Sequence, residues 1–210
     1  TILMSAPFTA VPEIPFNTYK GDGNNQPKPD TIAEDLASLD RPRKHYQHYY
    51  ATREANADMM ESENGLHSFF RGYYHYKSAD WKNNNPFPLD SWTAKELEKM
   101  PTYYIMDLKD NMAETVAKEM PSSEDIASCV WLPEEELAVY ATEYGRTGFQ
   151  GGLNWYRSGM AISGGSHGNR QKLELFSGMK IEVPAMFIAG KQDWGPQQRP
   201  GALNTMQHTV

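Results

Sequence analysis

The sequence predicts an α/β core interrupted by an inserted helical lid. Two observations carry this. Apolar, strand-like runs stand near both ends of the chain, and between them lies a long stretch of helical pattern with no strand signal of comparable strength. The chain then divides into three parts. Residues 1–30 are a core strand and connection, 31–162 a helical lid, and 163–210 a core segment with a strand, a turn and a following helix.

Residues 1–8 read as a strand, in which Ile2-Leu3-Met4 leads into Ser5-Ala6-Pro7-Phe8. The run has the character of the tail of a buried strand whose preceding element is absent. The expectation is therefore a part of a longer protein, holding at most half of a catalytic constellation. Pro12, Pro15, Gly21, Gly23, Pro27 and Pro29 punctuate a long irregular connection. Thr31 and Glu34 have capping-box spacing, and Ile32, Leu36 and Leu39 follow at helical intervals. After Pro42 comes a helix rich in Tyr46, Tyr49, Tyr50, Met59 and Met60, then another carrying Phe69, Phe70, Tyr73, Tyr74 and Tyr76. Such faces are too aromatic for an ordinary solvated surface.

Asn83-Asn84-Asn85-Pro86 with Pro88 marks a loop, and Thr93 to Glu96 repeats the capping-box pattern ahead of Leu97 and Met100, with Pro101 as the stop. Met112 and Val116 share a helix face that Pro121 closes. The best-specified helix has Pro133 at its first position, glutamates in its first turn, Leu137, Tyr140, Ala141 and Tyr144 on one face, and Gly145 as its terminator. Strand character returns at Ile181 to Gly190, followed by the turn Lys191-Gln192-Asp193-Trp194-Gly195-Pro196.

Composition narrows the function classes. With 39% hydrophobic and 12% aromatic residues among 210, the chain can build a real core. Twenty Lys and Arg against 27 Asp and Glu give a net charge of -7, which argues against nucleic acid or an anionic membrane as partner. A small, uncharged molecule is the expected one. No apolar run reaches the ~18 residues of a membrane span. Cys129 is the single cysteine, so no intrachain disulfide forms, and it reads as a small buried hydrophobe beside Val130 and Trp131.

Asp193 follows the carboxyl end of a predicted strand, where open α/β sheets concentrate catalytic groups. It suits the orienting of a histidine, and equally the capping of its own turn. Tyr46 and Tyr156 are phenols that stay protonated at neutral pH and donate hydrogen bonds to a developing alkoxide. In a chain with 12 tyrosines each is also a candidate for plain packing. His45, His48, His67, His75, His167 and His208 show no ligand spacing with carboxylates, so no metal is expected. Gly164-Gly165-Ser166-His167-Gly168 reads as a connector rather than a phosphate cradle, and no nucleophile elbow of the G-x-S-x-G kind occurs.

Three stretches resemble a known family: His45-Tyr46-Gln47-His48-Tyr49-Tyr50, Arg146 to Arg157 with its Phe149-Gln150-Gly151-Gly152-Leu153-Asn154-Trp155-Tyr156-Arg157, and Gly190-Lys191-Gln192-Asp193-Trp194. Their order and content are similar to soluble epoxide hydrolases of the α/β-hydrolase superfamily, particularly fungal ones. The resemblance implies a partial α/β-hydrolase core with an all-helical cap. It further implies that an elbow aspartate attacks the epoxide, that Tyr46 and Tyr156 hold the ring oxygen, and that Asp193 orients a histidine which activates water. Gln47 and Trp155 match substrate-lining positions. The family's nucleophile, its His-Gly-x-Pro loop and its histidine have no counterpart in these residues, so the chain alone is expected to be inactive. The implied substrates are a small apolar epoxide and water, with no cofactor. A soluble cytoplasmic enzyme of epoxide detoxification, forming a homodimer, is the accompanying expectation. The rivals are a haloalkane or haloacetate dehalogenase, an ester or lactone hydrolase, and a noncatalytic binding module with a hydrolase shell.

Overall fold

The computed structural model describes residues 1–10, 31–164, 176 and 178–210. The irregular connection predicted before residue 31 and the connector around His167 fall largely outside the described residues. The elements run β1 (Ile2–Met4), α1 (Ile32–Ala37), β2 (Arg43–His45), α2 (Tyr46–Ala51), α3 (Glu54–Met60), α4 (Gly65–Lys77) and α5 (Ala94–Leu97). They continue with β3 (Ile105–Asp107), α6 (Met112–Ala117), α7 (Ser123–Ser128), α8 (Glu134–Thr147), α9 (Gln150–Gly164), β4 (Met186–Ile188) and α10 (Ala202–Thr209).

β1 and β4 pair in parallel, with Ile2 opposite Met186, Leu3 opposite Phe187 and Met4 opposite Ile188. Parallel neighbours need a long crossover, and here the crossover contains everything from α1 to α9. The strands are shorter than the runs 1–8 and 181–190 that predict them. They are also not buried: Ile2 is 62% and Met4 69% exposed, because among the described residues no second layer covers the pair.

The helical body holds the core. Leu36, Leu97, Ile105, Met106, Met112 and Leu137 are fully buried, and Tyr46, Tyr49, Tyr50, Phe69, Phe70, Tyr76, Tyr103 and Tyr104 pack around them. Each such side chain contributes roughly 1.5–3 kcal/mol of burial. The body is not purely helical. β2 and β3 form an antiparallel ribbon, with Arg43 opposite Asp107 and His45 opposite Ile105. Asp107 accepts from Arg41 at 2.6 and 2.7 Å and from Arg43 at 2.8 Å, and Lys118 joins the cluster. Three-residue strands are too short to carry a readable alternation, which is why the sequence predicts only helix there.

The helix ends correct several local expectations. Thr31 and Thr93 do not cap: the Thr31 hydroxyl donates to Asp35, Thr93 pairs with the Ser91 hydroxyl, and Glu96 accepts from Lys99 and the Asp90 amide. Full capping boxes form instead at Asn111 with Glu114 and at Ser122 with Asp125. Pro133 is the N-cap of α8, and the helix runs through Gly145 to Thr147 before Gly148, at φ +65°, ends it. Cys129 is half-buried at the end of α7.

Candidate active site

Two helices far apart in sequence bring the predicted phenols together. α2 starts at Tyr46, where His45 acts as N-cap and its Nδ1 accepts from the Gln47 amide at 3.3 Å. α9 packs directly on α2. Its entry is fixed by Asn56, whose Oδ1 accepts from the Phe149 amide at 2.9 Å. A Cβ on Gly148 would stand 2.9 Å from that same oxygen, so the position demands glycine for contact as well as for its positive φ. Further along, the Arg157 guanidinium donates to the carbonyls of Ala51 at 3.3 Å and Thr52 at 2.8 Å. A cation there also suits the negative end of α2.

Between these two clamps the Tyr46 and Tyr156 rings meet edge-on, their centres 5.9 Å apart at 75°. Tyr50 touches both, at 5.6 Å from Tyr46 and 5.0 Å from Tyr156, and its hydroxyl is 3.2 Å from that of Tyr73. Tyr104 packs on the other side of Tyr46 at 5.1 Å. Burial pushes the phenols of Tyr46, Tyr50, Tyr104 and Tyr156 above their ordinary range, so they stand ready as neutral donors. The Tyr46 oxygen accepts from Gln47 Nε2 at 3.2 Å and donates to Gln198 Oε1 at 3.4 Å, a long bond that is easily exchanged. The Tyr156 hydroxyl has no hydrogen-bond partner among the described residues.

A pocket of about 300 Å³ opens beside the pair, lined by Tyr50, Phe69, Tyr73, Phe149, Trp155 and Tyr156 among others. Tyr156 lines it and Tyr46 does not. Trp155 reaches only its rim and is 80% exposed, because on a helix the residue next to an inward-facing tyrosine points about 100° away. Gln47 contacts Tyr46 rather than this pocket.

Asp193 sits apart from the phenols, in the turn after β4, and its Oδ1 accepts from the Gly195 amide at 2.7 Å. Its charge raises the pKa of the Tyr103 and Tyr104 phenols beyond what burial does. The helical body grips this turn. Asn84, 1% exposed, donates from Nδ2 to the Gln192 carbonyl at 2.9 Å, Gln192 Nε2 donates back to the Asn84 carbonyl at 3.1 Å, and Trp194 packs on Phe87. Sequence reasoning passes over Asn84, Tyr50, Tyr73, Tyr104 and Gln198 as site residues. For Asn84 the signal was its place in an Asn-rich loop, which reads as a turn and nothing more.

Fold and site define an α/β protein whose inserted helical body carries paired phenols beside an aromatic pocket. The chain is similar to epoxide hydrolase A of Mycobacterium tuberculosis, 43% identical over 63 residues, 30% of this chain and 17% of that protein. It is similar as well to epoxide hydrolase 3 of Siraitia grosvenorii, 33% identical over 76 residues, 36% of this chain and 21% of that one. Epoxide hydrolase 1 of the same plant is 39% identical over 66 residues, 30% of this chain and 18% of the relative. The matches thus span about a fifth of the length of these curated relatives. No family model matches the chain, and no solved structure matches it significantly. Among the described residues no helix is long and apolar enough to cross a membrane.

Proposed function

We propose that this chain is the cap-bearing part of an epoxide hydrolase with an α/β-hydrolase fold, opening a small apolar epoxide to a diol. The observation that carries the reading is the edge-on meeting of the Tyr46 and Tyr156 rings beside an aromatic pocket. The similarity to three proteins named epoxide hydrolase supports it.

In this mechanism an aspartate from the rest of the protein attacks one epoxide carbon. The carbon–oxygen bond breaks, an aspartyl ester forms, and the electron pair stays on the ring oxygen. Tyr46 and Tyr156 donate hydrogen bonds to that oxygen as its charge grows, and neutral phenols are suited to this because burial keeps them protonated. Gln47, donating to the Tyr46 oxygen, turns the Tyr46 proton away from itself. A histidine from the rest of the protein, oriented by Asp193, takes a proton from water. The resulting hydroxide attacks the ester carbonyl and the acyl carbon–oxygen bond breaks, the histidine returning its proton to the departing alkyl oxygen. The second water proton, shed as the carboxyl reverts to carboxylate, replaces the one the phenols gave the ring oxygen, so that the diol leaves and the aspartate is restored. The aromatic pocket receives the apolar tail, with Trp155 at its rim.

The test is Tyr156→Phe in the full-length enzyme. A single lost donor lowers epoxide turnover about a hundredfold to a thousandfold with circular dichroism unchanged. Undiminished turnover by a folded variant rules out the assigned role.

A further inference from the structure

Lys77 ends α4 one turn after Tyr73, and its ammonium rests on aromatic faces. Nζ lies 4.3 Å from the ring centre of Tyr103, 4.9 Å from Tyr104 and 5.0 Å from Tyr73. It forms no ion pair with a carboxylate among the described residues. A half-buried ammonium without a countercharge is costly, and three ring faces offset that cost through their negative quadrupoles.

These rings are one contact removed from the phenol pair. Tyr104 packs on Tyr46 at 5.1 Å, and the Tyr73 hydroxyl meets that of Tyr50, which packs on Tyr156 at 5.0 Å. Lys77 is therefore no more than about 10 Å from the Tyr46 ring centre, where a unit charge still changes the stability of an anion roughly tenfold in a partly dry site. The other charges felt here are Asp193, acting on Tyr103 and Tyr104, and Arg199, acting on Tyr46. Lys77 opposes the first and reinforces the second.

We propose that Lys77 is a positioning residue of the phenol site: held on Tyr73, Tyr103 and Tyr104, its ammonium fixes those rings and gives the site a positive potential that favours an oxyanion at Tyr46 and Tyr156. The inference rests on the oxygen-holding role of the two phenols and adds the source of their field. A lysine that merely closes the helix would hold the rings without that charge preference.

The experiment uses the whole chain and two probes of like shape, 4-nitrophenolate at about pH 9 and uncharged nitrobenzene. Lys77→Met is expected to weaken 4-nitrophenolate binding about tenfold and to leave nitrobenzene within about twofold, with Lys77→Arg restoring most of the loss. Equal losses for both probes, no loss for the anion, or a wild-type chain without preference for the anion overturns the proposal. The double variant Tyr46→Phe/Tyr156→Phe reads the phenols separately. If it binds 4-nitrophenolate as tightly as the wild type, the oxygen-holding role fails and takes this inference with it. If it weakens the anion while Lys77→Met does not, the Lys77 inference alone fails.

Discussion

His45 links acid stability to the placement of Tyr46. It ends β2, caps α2 through Nδ1, and is 4% exposed against Tyr46, His48 and Trp92. Burial lowers its pKa to about 3, helped by the positive fields of His48 and Arg199. An unfolded histidine titrates near 6.5, so between the two values the unfolded chain binds a proton that the native chain refuses. Stability from this group is complete above about pH 6.5 and is lost as the pH falls toward 3, at up to ~1.4 kcal/mol per unit. By pH 5 the loss is about 2 kcal/mol, a large share of a typical total of 5–15 kcal/mol. Protonation also removes the acceptor for the Gln47 amide at the base of the Tyr46 helix. The comparison is urea unfolding of the wild type and His45→Asn across this range, since asparagine is a good N-cap that does not titrate. The variant is less stable at neutral pH for want of ring packing, and the gap narrows by about 2 kcal/mol between pH 6.5 and pH 5. Parallel curves refute the assignment.

Two other substitutions test the supports of the site by the same unfolding measurement. Asp107→Asn leaves the buried Arg43 guanidinium short of its carboxylate and should cost about 3 kcal/mol near neutral pH. Hydrogen bonds from Arg41 and Arg43 hold the Asp107 carboxyl well below its usual range, so its stabilisation is present above about pH 4 and fades only below it. The His45 experiment is thereby undisturbed. Gly148→Ala forces a side chain into positive φ and against Asn56 Oδ1, costing about 1–2 kcal/mol for the backbone and ~1 more for the displaced cap. Near-ultraviolet dichroism should weaken as α9 shifts its tyrosine, and an unchanged Tm argues against this account.

How legible these features are in the sequence depends on their range. α4, α6 and α8 read directly, because Phe69, Phe70, Tyr73 and Tyr76, then Met112 and Val116, then Leu137 and Ala141 repeat at helical intervals. The single helix read across Tyr46 to Met60 is two, since Thr52 is extended and its hydroxyl bonds back to the Tyr49 carbonyl. Capping boxes misled for a physical reason. Asn111 and Ser122 have the extended backbone a cap needs, Thr31 does not, and Thr93 has it but spends its hydroxyl on Ser91. The closeness of Tyr46 and Tyr156 has no local signature. It depends on Arg157 reaching carbonyls 105 and 106 residues away, and only the resemblance carried by the two tyrosine segments pointed to it.

Asp193 caps its own turn, and the geometry of that turn bears on the proposed orienting role as well. As a turn residue it accepts from Gly195 through Oδ1 alone, which leaves Oδ2 without a partner among the described residues. The turn is braced from both sides. A Cβ on Gly195 would collide with the Ser5 side chain at the end of β1, and Asn84 and Phe87 hold Gln192 and Trp194 from the helical body. A carboxylate held by one oxygen on a turn braced by these contacts presents its other oxygen in a defined direction. Under the proposed mechanism a histidine needs that of its orienting acid. If Asp193 plays the proposed orienting role, self-capping is the means by which it would be aimed, and loosening the Asn84–Gln192 clasp would blur that aim without touching the carboxylate.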